Sequence, residues 1–344
     1  MTMPDFSSFA EQGDFIPQIQ RRIGDSSLPH ALLITGEKGV GKKTLAQVIA
    51  AALLCQHPSS RPCGECPACR QVASGNHPDL IVIQKGTSIT EEKEDKSKTV
   101  IPVSEIAELE RRCAALPYEG DRRVAIIRDA DDMNPEAQNK LLKTLEDPPG
   151  GNFFLLTSAK RENLLPTIVS RCESVYLHPW RQDTILRVLR AQGIDGPRAK
   201  DAAGESGGSI GAALQLAVDE NYWKTRSEVY RQFFHMKASS EVLSVSNQWK
   251  DRREEAELLF SLLEGGIHRL LHYRLHSGSG EANIEEMFGD AWLRFARECD
   301  LEDFTRLTDG IILARKRLQA SVNFQVIVEQ ILFMMMEASR KWST

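Results

Sequence analysis

The first half of the chain contains short, continuous apolar runs that alternate with helical patterns. The apolar runs are ALLIT (31–35), DLIVIQ (79–84), RRVAII (122–127) and NFFLLTS (152–158). Helix patterns or helix-start signals lie between them, over residues 43–55, 103–116 and 134–149. Runs of this length, without polar alternation, are typical of strands buried on both faces of a parallel sheet. The pattern predicts an α/β domain with helices on both faces of the sheet.

Strand patterns nearly vanish after His178, and only helical periodicity follows Asp219. We therefore expect a Rossmann-like α/β domain over residues 1–177, a small helical domain over 178–218 and a helical C-terminal domain over 219–344. Two polar segments are predicted to be loops, residues 91–98 and 276–283.

Composition and charge limit the function classes. The 344 residues carry a net charge of −5, which argues against a stand-alone DNA binder, because such proteins usually present a strongly basic surface. No apolar run approaches the roughly 18 residues that span a bilayer, and the N-terminus lacks the pattern of a signal peptide. We expect a cytoplasmic protein.

The segment ITGEKGVGKKTL has the spacing of a phosphate-binding loop between a strand and a helix. Gly36, Gly39 and Gly41 allow the backbone N–H groups to approach a phosphate closely, and Lys42 follows where a lysine reaches the β and γ phosphates. The alternative is an ordinary glycine turn, but the strand–loop–helix context favours a nucleotide-binding ancestry.

Two positions depart from a working ATPase. Lys43 stands where a Ser or Thr would hold Mg²⁺, and Thr44 comes one place late, about 100° further around the helix. Asp129, after the third apolar run, is followed by Ala130 instead of a catalytic Glu. The sequence predicts a degenerate site without fast hydrolysis and leaves ATP and Mg²⁺ binding open.

Four of the seven cysteines lie within fifteen residues. Cys55, Cys63, Cys66 and Cys69 provide four thiolates, enough for a closed tetrahedral Zn²⁺ site, and the intervening Pro and Gly residues suit tight turns. Since a four-sulfur shell leaves no open coordination position, the zinc would be structural. Unligated cysteines that cluster by chance are the alternative.

Arg171 follows a short helical pattern in the sequence SRC. It is either an ordinary surface charge or an arginine finger that stabilises charge on a phosphate bound by a neighbouring subunit. Spacing alone leaves both open.

Together these elements resemble the clamp-loader branch of the AAA+ proteins, and within it the delta-prime subunits of bacterial DNA polymerase III. The resemblance spans roughly residues 15–215. It is carried by LPHALLITGEKGVGK, the four-cysteine insert, HPDL, LPYEGDRRVAIIRDAD, NKLLKTLEDPP and SRCESVYLHPW.

The resemblance implies an AAA+ domain, a lid and a collar that joins a hetero-pentamer with tau/gamma motor subunits and a delta subunit. Such a machine loads a sliding clamp onto primed DNA. It also implies that Arg171 is an arginine finger acting in trans and that Thr157 occupies a sensor position. The family's second sensor arginine would fall at Gly211, a third missing ATPase part.

Two other functions remain open from the sequence. An active motor ATPase of the tau/gamma kind would require a metal-binding hydroxyl and a catalytic acid at the positions of Lys43 and Ala130. A zinc-dependent DNA-binding module would require a basic face, which the net charge disfavours.

Overall fold

The computed structural model describes residues 4–58, 60–88, 99–236, 238–275 and 284–340. The two predicted polar loops, 91–98 and 276–283, lie outside the described residues. The chain divides into two compact units, residues 1–217 and 218–344. No described helix is long and apolar enough to cross a membrane.

A five-stranded parallel sheet forms the centre of the first unit. Its strands are β1 (Ala31–Thr35), β2 (Leu80–Ile83), β3 (Arg123–Ile127), β4 (Asn152–Ser158) and β5 (Glu173–Tyr176). They run in the order β2-β3-β4-β1-β5, and all four pairings are parallel. The predicted parallel sheet is confirmed. Because the strands are parallel, the carboxyl ends of β1, β3 and β4 lie on the same side of the sheet. The nucleotide-loop residues follow these strand ends.

The fifth strand was not predicted from the sequence. β5 pairs only with β1, at the edge of the sheet, and Val175 is its only buried residue. Such a half-exposed edge strand carries no continuous apolar run, so its pattern resembles that of a loop.

Nine α-helices lie in the described residues of the first unit, around or after the sheet. They are α1 (Phe15–Gly24), α2 (Lys42–Leu54), α3 (Pro67–Ser74), α4 (Val103–Cys113), α5 (Pro135–Glu146), α6 (Pro166–Arg171), α7 (Gln182–Ala191), α8 (Pro197–Glu205) and α9 (Ile210–Val218). The predicted start of α5 is confirmed: the Asn134 side chain accepts the N–H of Ala137 at 2.8 Å, and Pro135 takes the first helical position.

The second unit is helical throughout its described residues, as predicted. Its helices are α10 (Glu220–Val229), the π-helical turn Tyr230–Phe234, α11 (Ser239–Trp249), α12 (Ala256–Leu275), α13 (Ile284–Met287), α14 (Asp290–Glu298), α15 (Leu301–Gln319) and α16 (Phe324–Arg340). An aromatic cluster lies at its centre, where the ring of Phe234 meets Phe288 and Trp292 edge-on at 4.9 and 5.2 Å between centroids.

Helices α7 to α9 occupy the segment predicted to be a separate lid. They belong to the same compact unit as the sheet. The boundary at residues 177 and 178 stays a prediction.

A buried ion pair anchors the loop that leads into β3. Asp79, from HPDL, is fully buried and lies 3.3 Å from the guanidinium of Arg123. Its carboxylate also accepts the backbone N–H groups of Tyr118 and Glu119, at 2.8 and 2.7 Å. Arg123 in turn donates to the carbonyls of residues 112, 115 and 116. Two of the sequence motifs therefore meet here in a structural role.

We expect Asp79→Ala to lower the free energy of unfolding of the first unit by about 3–5 kcal/mol, because it leaves the Arg123 charge buried without its counter-ion. Thermal and denaturant unfolding followed by circular dichroism would measure the loss. Asp121→Ala is the matched control, since Asp121 is 90% exposed and its pair with Arg122 spans 3.8 Å. A loss below 1 kcal/mol for Asp79→Ala would contradict the structural role.

Candidate functional site

The carboxyl edge of the sheet brings the predicted nucleotide-loop residues together. The loop of residues 36–41 follows β1, Asp129 follows β3 and Thr157 lies near the end of β4. In the register of the sheet, Ile34 of β1 is opposite Thr157. Residues far apart in sequence therefore lie side by side, because the parallel strands end together.

The Lys42 side chain is folded back onto its own loop. Its Nζ donates to the carbonyl oxygens of Gly36 and Glu37 at 2.7 and 2.6 Å, and the residue is buried. Burial lowers the pKa of the Lys42 ammonium from its ordinary value. In this structure, the lysine predicted to reach a phosphate satisfies two carbonyls of the loop.

Lys43 pairs with the acid that would support a metal. Its Nζ lies 2.6 Å from Oδ2 of Asp129, and both side chains are partly exposed. The backbone N–H of Asp129 donates to the buried Thr157 hydroxyl at 2.9 Å, which holds Asp129 at the edge of the sheet. This group of side chains does not fit Mg²⁺, because the Lys43 ammonium is paired with the Asp129 carboxylate and residue 43 provides no metal-binding hydroxyl.

The other acids after β3 have different partners. Asp131 accepts the N–H of Ala159 at 3.3 Å, and Asp132 lies 2.8 Å from Nζ of Lys85. Ala130, at the position of a catalytic carboxylate, is fully buried. Neither neighbouring acid therefore takes over the missing role in the described contacts.

Residues of the α8–α9 segment contact the phosphate loop directly. The N–H of Gly211 donates to the Gly39 carbonyl at 3.0 Å. Gly39 has a φ of +81°, and a Cβ at this position would clash with Oγ of Ser209. The predicted sensor position thus lies against the loop backbone, where a side chain at residue 211 would start 3.2 Å from the Gly39 Cα.

Two aromatic residues that the sequence analysis did not single out also lie against the phosphate loop. Trp180 donates its indole N–H to the buried Val40 carbonyl at 2.8 Å. Its ring lies 5.9 Å from that of Phe9, and Phe9 lies next to Gly41. Trp180 belongs to the SRCESVYLHPW motif, but a buried tryptophan by itself indicates core packing, so only the fold shows this contact.

The four cysteines form one compact cluster. Their sulfur atoms all lie within 4.8 Å of one another, and the Cys55–Cys66 and Cys63–Cys69 pairs are 4.0 and 3.9 Å apart. All four are free thiols in this structure. Four sulfurs that converge in this way can hold one metal ion.

Backbone N–H groups point at the sulfurs. Cys63 accepts from Cys66, and Cys66 accepts from Cys69, at 3.3 and 3.4 Å. Backbone hydrogen bonds, first the one from Cys66 and then one from Glu65, lower the pKa of Cys63 to about 6, whereas burial raises the pKa of Cys69. Nearby in sequence, Nδ1 of His77 accepts the Asp79 N–H at 3.1 Å.

The predicted arginine finger lies at the end of α6. Arg171 donates through Nη1 to the Thr167 carbonyl at 3.1 Å and through Nη2 to the Glu146 carboxylate. A third of the Arg171 side chain is exposed. Glu146 comes from the motif NKLLKTLEDPP, but nothing in the sequence singled it out as the partner of Arg171.

Comparison with known proteins shows which group the chain resembles. The family model described as DNA polymerase III, delta subunit, matches residues 11–181. The delta-prime subunit of Bacillus subtilis DNA polymerase III is 26% identical across 96% of this chain and 99% of its own length. These similarities support a delta-prime-like clamp-loader subunit.

Two further relatives are similar to parts of this chain. A delta-prime subunit from Pseudomonas aeruginosa is 41% identical over 150 residues, which is 43% of each chain. A tau/gamma subunit from Haemophilus influenzae is 31% identical over 307 residues, 86% of this chain and 39% of that protein. The resemblance to clamp-loader subunits is confirmed, and the chain is similar to a tau/gamma subunit as well as to delta-prime subunits.

Proposed function

We propose that this chain is a non-hydrolysing, delta-prime-like clamp-loader subunit that supplies Arg171 to the ATP site of a neighbouring motor subunit. The observation that carries the proposal is the pair between Lys43 and Asp129, 2.6 Å apart, where a working ATPase would hold Mg²⁺. A chain whose own centre is blocked by this pair contributes to ATP hydrolysis by completing another subunit's site.

The proposed partners are tau/gamma motor subunits and a delta subunit in a hetero-pentamer. Residues 219–344 would form the collar that joins the subunits, and residues 178–218 the lid. The complex, acting as a whole, would place a sliding clamp on primed DNA. The helical second unit supports the collar assignment.

Arg171 suits a role in trans. The guanidinium is planar and permanently charged, with N–H groups that match phosphate oxygens. It lies at the end of a short helix, partly exposed, and its described contacts leave it at the protein surface. An arginine that stabilises the transferred phosphoryl group acts from such a position, because it must reach a nucleotide on another chain.

Arg171→Ala is expected to lower ATP turnover at the neighbouring site by roughly 10³- to 10⁵-fold, while folding, metal content and assembly stay intact. The loss for the whole complex is smaller, since the finger serves one motor site. Arg171→Lys is expected to rescue weakly because its ammonium lacks the planar fork. Turnover and clamp loading by the reconstituted complex measure both effects.

Arg161→Ala is the matched control for this experiment, since Arg161 is exposed and lies just before the same helix. We expect it to load clamps at the wild-type rate. Wild-type loading by Arg171→Ala as well would refute the finger assignment.

The isolated chain is expected to release no phosphate above background. Lys43→Thr should not restore turnover, although it frees Asp129, because Ala130 and Gly211 still lack the catalytic carboxylate and the sensor arginine. Steady-state phosphate release from the pure chain tests this. Robust turnover that Lys42→Ala abolishes would favour the motor ATPase alternative.

We further propose that the cysteine cluster holds one structural Zn²⁺. Zinc bonded to four sulfurs at about 2.3 Å separates them by about 3.8 Å, near the two sulfur distances of 3.9 and 4.0 Å. The insert connects α2 to α3, and the Cys66 side chain caps the N-terminus of α3. The ion would fix the short, turn-rich segment in place.

Purified protein is expected to contain one zinc per chain, and Cys63→Ser to lose most of it. Cys299→Ser, which changes a buried cysteine of the second unit, should keep a full equivalent. Elemental analysis measures the content, and limited proteolysis should show faster cleavage within residues 55–77 for Cys63→Ser alone. Well under one equivalent in the wild type, or two disulfides, would overturn the zinc assignment.

A further inference from the structure

The contact between Arg171 and Glu146 joins the ends of two helices. Glu146 is the last residue of α5 and Arg171 the last residue of α6. Nη2 of Arg171 donates to Oε1 of Glu146, and Nη1 donates to the carbonyl of Thr167, one turn earlier in α6. The guanidinium is thus held at two points, one on each helix.

Stability alone explains this pair poorly. The side chains are 33% and 51% exposed, and exposed ion pairs contribute little because water screens them. A carboxylate at the C-terminus of a helix also meets the negative end of the helix dipole, which disfavours Glu146 at this position. The arrangement has more effect on where the guanidinium points than on the stability of the fold.

A second carboxylate, close to Arg171 in sequence, is paired with a different arginine. Glu173 lies two residues after Arg171, but both of its oxygens accept from Nη1 of Arg22, at 2.7 and 2.8 Å. Between these two carboxylates, Glu146 is therefore the one that orients Arg171. The Glu173 pair offers a control of similar exposure, at 42%.

We propose that Glu146 is a positioning residue, which holds the Arg171 guanidinium in one orientation before it meets a partner's phosphate. The inference rests on the proposed arginine-finger function. A free arginine side chain loses considerable rotamer freedom when it is immobilised, so one that is already held loses less on binding. Two of its five N–H groups serve the tether, and the remaining edge can face the phosphate oxygens.

The test compares the ATP turnover of reconstituted complexes. Glu146→Ala is expected to lower kcat by roughly 2- to 10-fold, the cost of immobilising one long side chain, without changing complex assembly or the KM for ATP. Glu146→Gln keeps an oxygen acceptor of the same length and is expected to retain most of the rate. Glu173→Ala is expected to behave as wild type.

Two further measurements separate positioning from a merely structural role. In an Arg171→Ala background, Glu146→Ala is expected to cause no additional loss, since the residue acts through Arg171. In the isolated chain, NMR of the Arg171 Nε–H group is expected to show a lower order parameter for Glu146→Ala than for the wild type or Glu173→Ala.

Several results would overturn the inference. If Glu146→Ala lowers kcat equally in the Arg171→Ala background, Glu146 has a structural role that does not act through Arg171. If Glu146→Ala makes the complex faster, Glu146 hinders the arginine finger instead of positioning it. An unchanged rate for Glu146→Ala would exclude positioning. If Arg171→Ala itself has no effect, the finger function fails and the inference with it, and that result differs from a complex that needs Arg171 but not Glu146.

Discussion

The ion pair between Lys43 and Asp129 lies at the carboxyl edge of the sheet, where the nucleotide loop meets the ends of β3 and β4. The Lys43 ammonium, 2.6 Å from the Asp129 carboxylate, balances the charge of that carboxylate. The loop nevertheless keeps the backbone of a phosphate cradle, because its glycines and the parallel sheet behind it are intact. The loop geometry is therefore retained, while the charged groups beside it are paired with the protein's own atoms.

Three parts of the first unit donate hydrogen bonds to the backbone carbonyls of the nucleotide loop. Lys42 donates to the carbonyls of Gly36 and Glu37, Trp180 donates to that of Val40, and Gly211 donates its N–H to that of Gly39. Each bond satisfies a backbone oxygen that would otherwise need water or another donor. These bonds hold the loop backbone from several parts of the first unit.

Sequence patterns predicted the buried part of the first unit well and its periphery poorly. Strands β1 to β4 are continuous apolar runs because both faces are covered, whereas edge strand β5 has one partner and one buried residue, and its signal is lost. The cysteine cluster could be predicted because its ligands lie close together in sequence. The pairing of Arg171 with Glu146 could not, since the two residues are 25 positions apart and meet only when α5 and α6 are placed.

By itself, the sequence determined which chemical groups are present: four clustered thiols, a phosphate-loop lysine, a displaced hydroxyl and no acid at Ala130. It also determined the strand–loop–helix context, since local periodicity reports burial directly. Only the tertiary structure decided what each charged group faces. Lys43 neutralises Asp129, Lys42 folds onto its own loop, and Asp79 anchors Arg123. The physical reason is that electrostatic partners are chosen by distance in space, and parallel strands bring together residues that are far apart along the chain.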